Sequence, residues 1–288
     1  MPDTSCTRAD LSRRAAQQEV SDTAGRVHRG MIRVGCSGWS YRDWRGVVYP
    51  AELPARRWFE HYQQLFDTVE LNTTFYRLPA ATTVEGWAGA ARPGFVFAAK
   101  LGAFGTHRKK LTDAAEWLPN HFDRIDRLGA HLGPTLVQLP PRWRRNVARL
   151  DEFLTAADRL RRGARWAVEL RDPSWLDDDV FATLQSHAVA LCVHDLIADH
   201  PFVLTTNWTY VRFHGPDAVA HPYHGDYGAT RLRTWADRFG VLGGDGIDTY
   251  AYFNNDWHAA AVRDAHWLRS ALAGPARVPS PEAGEEPP

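Results

Sequence analysis

Eight short, β-branched apolar runs alternate with longer amphipathic segments along this chain. That alternation limits the fold more than any other feature. The runs fall at 31–36 (MIRVGC), 68–72, 95–101, 134–139, 165–171, 190–195, 209–214 and 248–254. Helices are expected between them at 55–66, 82–91, 113–131, 147–162, 177–187, 230–240 and 259–272. The 147–162 segment places Val147, Leu150, Phe153, Leu154, Ala157 and Leu160 on one helical face. The link between the sixth and seventh runs is short, and no helix is evident in it. Eight strands, most of them followed by a helix, over ~250 residues predict an α/β protein of the (β/α)8 TIM-barrel class. An open doubly wound sheet is the competitor, but no GxGxxG follows the first run.

The barrel is expected to occupy 31–273 as a single domain. Residues 1–30 are polar and read as a disordered N-terminal arm; the Pro-, Gly- and Glu-rich stretch 274–288 reads as a disordered tail. Met31 stands directly before the first run, and a start there fits the pattern equally well. Lys plus Arg and Asp plus Glu both number 34, so the strong positive field of a non-specific nucleic-acid binder is missing. No apolar run approaches the ~20 residues of a spanning helix, so no membrane partner is expected. No apolar signal core opens the chain, and its three cysteines (Cys6, Cys36, Cys192) include no CxxC pair. A cytoplasmic protein with reduced thiols is the expectation. Nothing in the sequence indicates an oligomeric state.

Barrels of this class place their sites at the carboxyl ends of the strands. Here those ends carry Ser37, Glu70 and Asn72, Lys100, Gln138, Glu169 and Arg171, His194 and Asp195, Arg212 and His214, then Asn254 and Asn255. Side chains alternate faces along a strand. Val69, Leu71, Val168, Leu170, Val193, Val211 and Phe213 therefore face helices, while their charged neighbours share the barrel interior. Unpaired buried charge costs several kcal/mol per ion, so this convergence is expected to be paired, solvated or functional. The same rim carries aromatic residues: Trp39, Tyr41, Trp44, Phe75, Tyr76, Trp143, Trp175, Tyr223, Tyr227 and Trp257. Most are expected to anchor loops, and two or three to stack on a ligand.

The segments GCSGWSYRDWRG (35–46), ELNTTFYRLP (70–79), Thr106-His107, QLPP (138–141), VELRDPSW (168–175), YVRFHG (210–215) and YFNND (252–256) together resemble the DUF72, or YecE-like, family. The resemblance spans about 31–273. It implies a TIM barrel with a site at these positions and no established reaction. By analogy of site shape, such barrels have been likened to endonuclease-IV-type enzymes. One position departs: the family usually has His after the strand-five Arg, where this chain has Asp172. An Asp there is expected to orient Arg171 through an ion pair, or else to mark a changed chemistry.

Several chemistries fit these residues. A divalent metal could draw on Glu70, His107, Glu169, His194, Asp195, His214, His221 and His224. Lys100, Arg171 and Arg212 would repel it, and no HxH or HExxH spacing is present, so neither metal nor cofactor is expected. His221 and His224 fit a mobile lid better. The three cations, with Gln138 and Asn254, suit a small anionic ligand. Asn254, Asn255 and Asp256 precede a helix, where they would cap it or help hold an anion. Glu169 is the expected base and His214 or His194 the acid. Lys100 could form a Schiff base if desolvated, and Glu70 with Glu169 could form a glycosidase pair. Basic residues 107–110 and 142–145 give a weaker nucleic-acid signal. The favoured reading is a metal-independent acid–base enzyme on a phosphorylated or acidic, sugar-like ligand. Trp39 and Tyr76 would be its stacking walls, and Tyr41, Glu70, Asn72 and His107 further contacts. A metal-dependent phosphodiesterase on nucleic acid and a non-catalytic ligand-binding barrel are the alternatives.

Overall fold

A computed structural model describes residues 29–274. Cys6, the expected arm up to residue 28 and the tail from 275 lie outside the described residues. Eight strands form: β1 (Ile32–Ser37), β2 (Thr68–Leu71), β3 (Val96–Lys100), β4 (Leu132–Gln138), β5 (Trp166–Glu169), β6 (Ala190–His194), β7 (Trp208–Phe213) and β8 (Asp248–Phe253). All neighbouring pairs are parallel, and β8 returns to β1 from Ile32 opposite Thr249 to Cys36 opposite Phe253. The sheet is thus closed, as the strand–helix alternation predicts, with no exposed edge.

The surrounding helices are α1 (Trp58–Leu65), the single turn α2 (Thr73–Tyr76), α3 (Ala81–Ala90), α4 (Ala114–Ile125), α5 (Val147–Leu160), α6 (Asp178–Ser186), α7 (Gly228–Gly244) and α8 (Ala260–Ala273). In α5 the expected stripe holds in its middle: Leu150, Phe153, Leu154 and Ala157 are buried. Leu160, in the helix's last turn, is exposed. Asn146 caps α5, its side chain accepting from Arg149 N at 3.0 Å. No helix joins β6 to β7.

Strand parity divides the core. Val69, Leu71, Val168, Leu170, Val211 and Phe213 pack outward among helices. The inward set (Ala98, Leu136, Ala167, Ala190, Cys192, Trp208, Tyr210, Tyr250, Tyr252) forms its own cluster. Large tyrosines face small alanines there, which fills the barrel in layers. Tyr252 receives or gives a hydrogen bond with Thr68 Oγ1 at 2.7 Å, spanning β1 between their strands. Gly35 lets β1 approach β2 closely, since a Cβ would lie 2.3 Å from the Thr68 carbonyl oxygen. Above the aromatic layer, towards the carboxyl ends, the interior turns polar.

Candidate active site at the barrel mouth

The top interior layer is built around Arg212, whose side chain is fully buried. One nitrogen donates to Glu70 Oε1 at 2.8 Å and the other to Glu169 Oε2 at 2.7 Å. Arg171 donates to the second oxygen of Glu169. Tyr210 and Ser37 hydroxyls complete Glu70. Two carboxylates and two guanidinium groups are therefore matched, and the four carry no net charge. Burial by itself pushes Glu169 up; Arg171 and Arg212 outweigh it and hold the carboxylate well below its ordinary pKa. Glu169 is consequently a locked ion-pair partner. It does not line the cavity, and neither does Arg212. This corrects their expected roles as base and as anion clamp.

The two histidines depart from expectation as well. His214 is buried, its Nδ1 3.0 Å from Asp195 Oδ1 and its Nε2 3.1 Å from Arg212. Arg212 can only donate, so Nε2 accepts and Nδ1 carries the proton. Burial, then Arg212, pushes its pKa well below the ordinary value. It is neutral at pH 7, and its one ring proton is engaged by Asp195. His194 donates from Nε2 to the Leu170 carbonyl at 2.8 Å and accepts from Leu196 N at 3.2 Å. Burial lowers it to about 4. Neither ring lines the cavity.

Lys100 is different. It ends β3, is only 6% exposed, and lines a cavity of about 1090 Å³ at the mouth. No carboxylate lies within ion-pair distance among the described residues. Its ammonium meets Asn72 Oδ1 at 3.5 Å and the Phe75 ring at 4.3 Å. Burial lowers its pKa first and Arg212 second, against the pull of Glu70 and Glu169, to about 7. A quartet already neutral leaves little negative field to hold a fifth charge.

Asp256 is the other unusual group on this cavity. Burial raises its carboxyl to about 8, although the Tyr41 hydroxyl and Arg212 oppose the shift. Its Oδ1 is buried with no partner among the described residues. At pH 7 Asp256 is largely protonated, as a carboxylic acid able to donate. The expectation that residues 254–256 cap the following helix fails. No side chain caps it, and the helix entry runs through left-handed His258 and Ala259. Asn255 turns away, donating to Asp264 Oδ2 and the Gly225 carbonyl, both at 2.8 Å, and so is removed from the ligand set.

Glu70, Asn72, Gln138, Arg171 and Asn254 complete the cavity's polar wall, and Asn72 donates to Ser37 Oγ at 2.6 Å. His107 lines it too, with Nδ1 2.9 Å from Thr106 Oγ1; burial, Lys100 and Arg171 lower its pKa. Trp39, Phe59 and Trp87 give an apolar wall, with Trp39 5.1 Å from Phe59 and 5.5 Å, edge-on, from Trp87. Tyr76, Tyr223 and Trp257 lie on the rim. Tyr41 donates to the Ser37 carbonyl, and Gly38 stays Cβ-free at φ 101° because a side chain would meet the Tyr41 ring. Trp44 and Trp175 are fully buried loop anchors. Tyr227 is buried and donates to Asp195.

Asp172 makes no ion pair with Arg171. Its carboxylate accepts from the Ser174 backbone N–H at 3.0 Å and the Ser174 hydroxyl at 2.7 Å, capping the turn after β5. His221 is exposed and pairs with Asp217 at 2.9 Å. Within the basic clusters, Lys109 pairs with Asp113 at 3.0 Å and Arg145 with Asp177. Among the described residues, no three His, Cys, Asp or Glu side chains converge as a metal site, and the two central carboxylates are engaged by arginine. No described helix is long and apolar enough to cross a membrane.

A closed parallel barrel opening onto an aromatic-walled polar cavity defines a TIM-barrel protein with a candidate ligand site. The chain belongs to the DUF72 family, whose model, "Protein of unknown function DUF72", matches residues 33–287. UPF0759 protein YunF of Bacillus subtilis is 26% identical over 261 residues, covering 78% of this chain and 89% of YunF. UPF0759 protein YecE of Escherichia coli is 28% identical over 146 residues, half of each chain. This chain thus spans about half the length of that relative. A DUF72 family crystal structure from Thermotoga maritima superposes with a TM-score of 0.74 at 28% identity, covering 84% of this chain and 99% of that one. A second, from Enterococcus faecalis, shares the fold at 19% identity and a TM-score of 0.70.

Proposed function

We propose that this chain is a metal-independent acid–base enzyme for ligands with a compact anionic head and an apolar body. Lys100 and Asp256 are its proton-exchanging groups, in place of Glu169 and His214. The observation that carries this reading is the contrast on one cavity wall. Both arginines beside Lys100 are matched by glutamates, while Lys100 has no carboxylate. A base poised near neutrality and an acid that keeps its proton are the complementary pair such chemistry needs. Arg171 supports anion binding. It is partly exposed and lines the cavity, and its second terminal nitrogen has no partner among the described residues. Trp39, Phe59 and Trp87 suit the apolar body.

The test follows Lys100 by NMR on protein carrying ¹³C-labelled lysine, a label confined to Lys100, Lys109 and Lys110. Acetate or inorganic phosphate seated beside Lys100 stabilises its charged form, so its pKa rises as either is added. A Lys100 resonance indifferent to both refutes the anion site. The response survives dialysis against EDTA. Loss with EDTA and return with a divalent ion refutes the metal-independent reading.

A further inference from the structure

We propose that Lys100 is a covalent amine: its Nζ condenses with the carbonyl group of an anionic aldehyde or 2-oxo acid held at the barrel mouth. This rests on the acid–base reading of the same cavity and names its substrate class.

Three independent observations support it. The first is placement. Lys100 closes β3 on the cavity wall, where the strand fixes its Cα, and Phe75 and Asn72 hold its tip loosely at 4.3 and 3.5 Å. A lysine kept only for charge would be expected to meet a carboxylate; this one stands beside two that Arg212 and Arg171 already occupy. The second is composition. The chain contains three lysines against thirty-one arginines. Arginine supplies nearly all of the chain's permanent cations, including both in the quartet. Arginine cannot be deprotonated in proteins, so it cannot attack a carbonyl. Lysine at position 100 supplies what arginine lacks, an amine whose lone pair burial can free. The third is the partner. Asp256 lines the same cavity with an unpartnered buried oxygen, and burial keeps its proton in place.

The chemistry balances without further reagents. The neutral amine adds to the carbonyl carbon, forming C–N as the π-bond electrons move to oxygen. That oxygen takes up a proton, with Asp256 as donor. The C–O bond then breaks, and the two nitrogen protons and the oxygen leave as one water, Asp256 recovering its proton in the exchange. The product is a C=N bond between ligand and Lys100, with no oxidant or reductant involved. Arg171 is the group placed to hold the ligand's carboxylate.

Glyoxylate is the probe, added to the full chain at pH 7 with cyanoborohydride, which delivers hydride to C=N and leaves N-carboxymethyl-lysine. Peptide mass spectrometry reads the label at each lysine. Lys109, whose pKa is raised by its hydrogen bond to Asp113, is the internal control. Labelling at Lys100 is expected at least about tenfold faster than at Lys109, because far more of it is neutral at pH 7. Equal labelling at all three positions, or sparing of Lys100, overturns the inference. Lysine NMR then separates the two readings. If Lys100 titrates near neutrality and responds to acetate but takes no label, only the carbonyl assignment falls. If it titrates like an ordinary lysine, the acid–base reading falls with it.

Discussion

Replacing Lys100 by methionine should stabilise the protein by an amount that depends on pH. Methionine has similar length, fills the space against Phe75, and needs no water. Lys100 titrates near 7 in the folded chain against an ordinary value of 10.5. Each pKa unit corresponds to 1.36 kcal/mol, so holding the charged amine in place costs about 5 kcal/mol. Between pH 7 and 10 the unfolded chain binds a proton at this residue that the folded chain does not. Wild-type stability therefore gains about 1.4 kcal/mol per pH unit from this residue over that window. The penalty is fully present below pH 7 and gone above about 10.5. Losses that do not titrate, such as the Asn72 hydrogen bond, shift both ends equally and leave the slope unaffected. Urea unfolding of wild type and Lys100→Met at pH 7 and pH 9 measures it. The variant's advantage should shrink by roughly 2 kcal/mol between the two. Parallel pH profiles would show that Lys100 keeps an ordinary pKa and that burial does not displace its proton.

Asp256→Asn should remove a second, opposite dependence. The folded chain retains a proton there up to about pH 8 that the unfolded chain releases near 3.8, so wild-type stability falls as pH rises between those values. The Asn variant should show a flatter profile by urea titration, and an unchanged profile counts against a protonated Asp256. Arg212→Met leaves Glu70 and Glu169 facing each other without their shared cation, at a cost of about 3–5 kcal/mol. Adding Glu70→Gln should recover part of that loss in the same unfolding assay; no recovery would show that Arg212 contributes by packing alone.

Strand alternation was sufficient to place the interior residues. Glu70, Glu169 and Arg212 are read inward because their neighbours Val69, Leu71, Val168, Leu170 and Val211 need a hydrophobic surface, and helices supply it. Alternation carries no information about partners, however. Lys100 and Arg212 look alike as inward cations, yet Arg212 is enclosed by two glutamates and Lys100 by none. His194 looks like a mouth residue, but its ring is consumed by the backbone of Leu170 and Leu196. Asn255 has the right type for a cap, and a left-handed turn at residues 258 and 259 puts it out of register. Each misreading concerns a hydrogen bond to a residue distant in sequence, or to backbone whose course composition does not record. One signal was present in the sequence: where arginine outnumbers lysine tenfold, a lysine at a strand's carboxyl end is the residue to ask about first.

The ion-pair quartet explains how a charged mouth can harbour a neutral amine. A buried lysine beside free carboxylates would be held protonated by them. Here the arginines engage those carboxylates first, each oxygen of Glu169 taken by a different guanidinium group and Arg212 bridging Glu169 to Glu70. Burial is then the largest influence on the Lys100 proton and the charge of Arg212 the second. Replacing Arg212 would remove that shield, leave Glu70 without its cation while Arg171 keeps Glu169, and raise the pKa of Lys100. Glu70 and Arg171 line the cavity with Lys100, whereas Glu169 and Arg212 stand outside its lining, and all four charges act on the Lys100 proton.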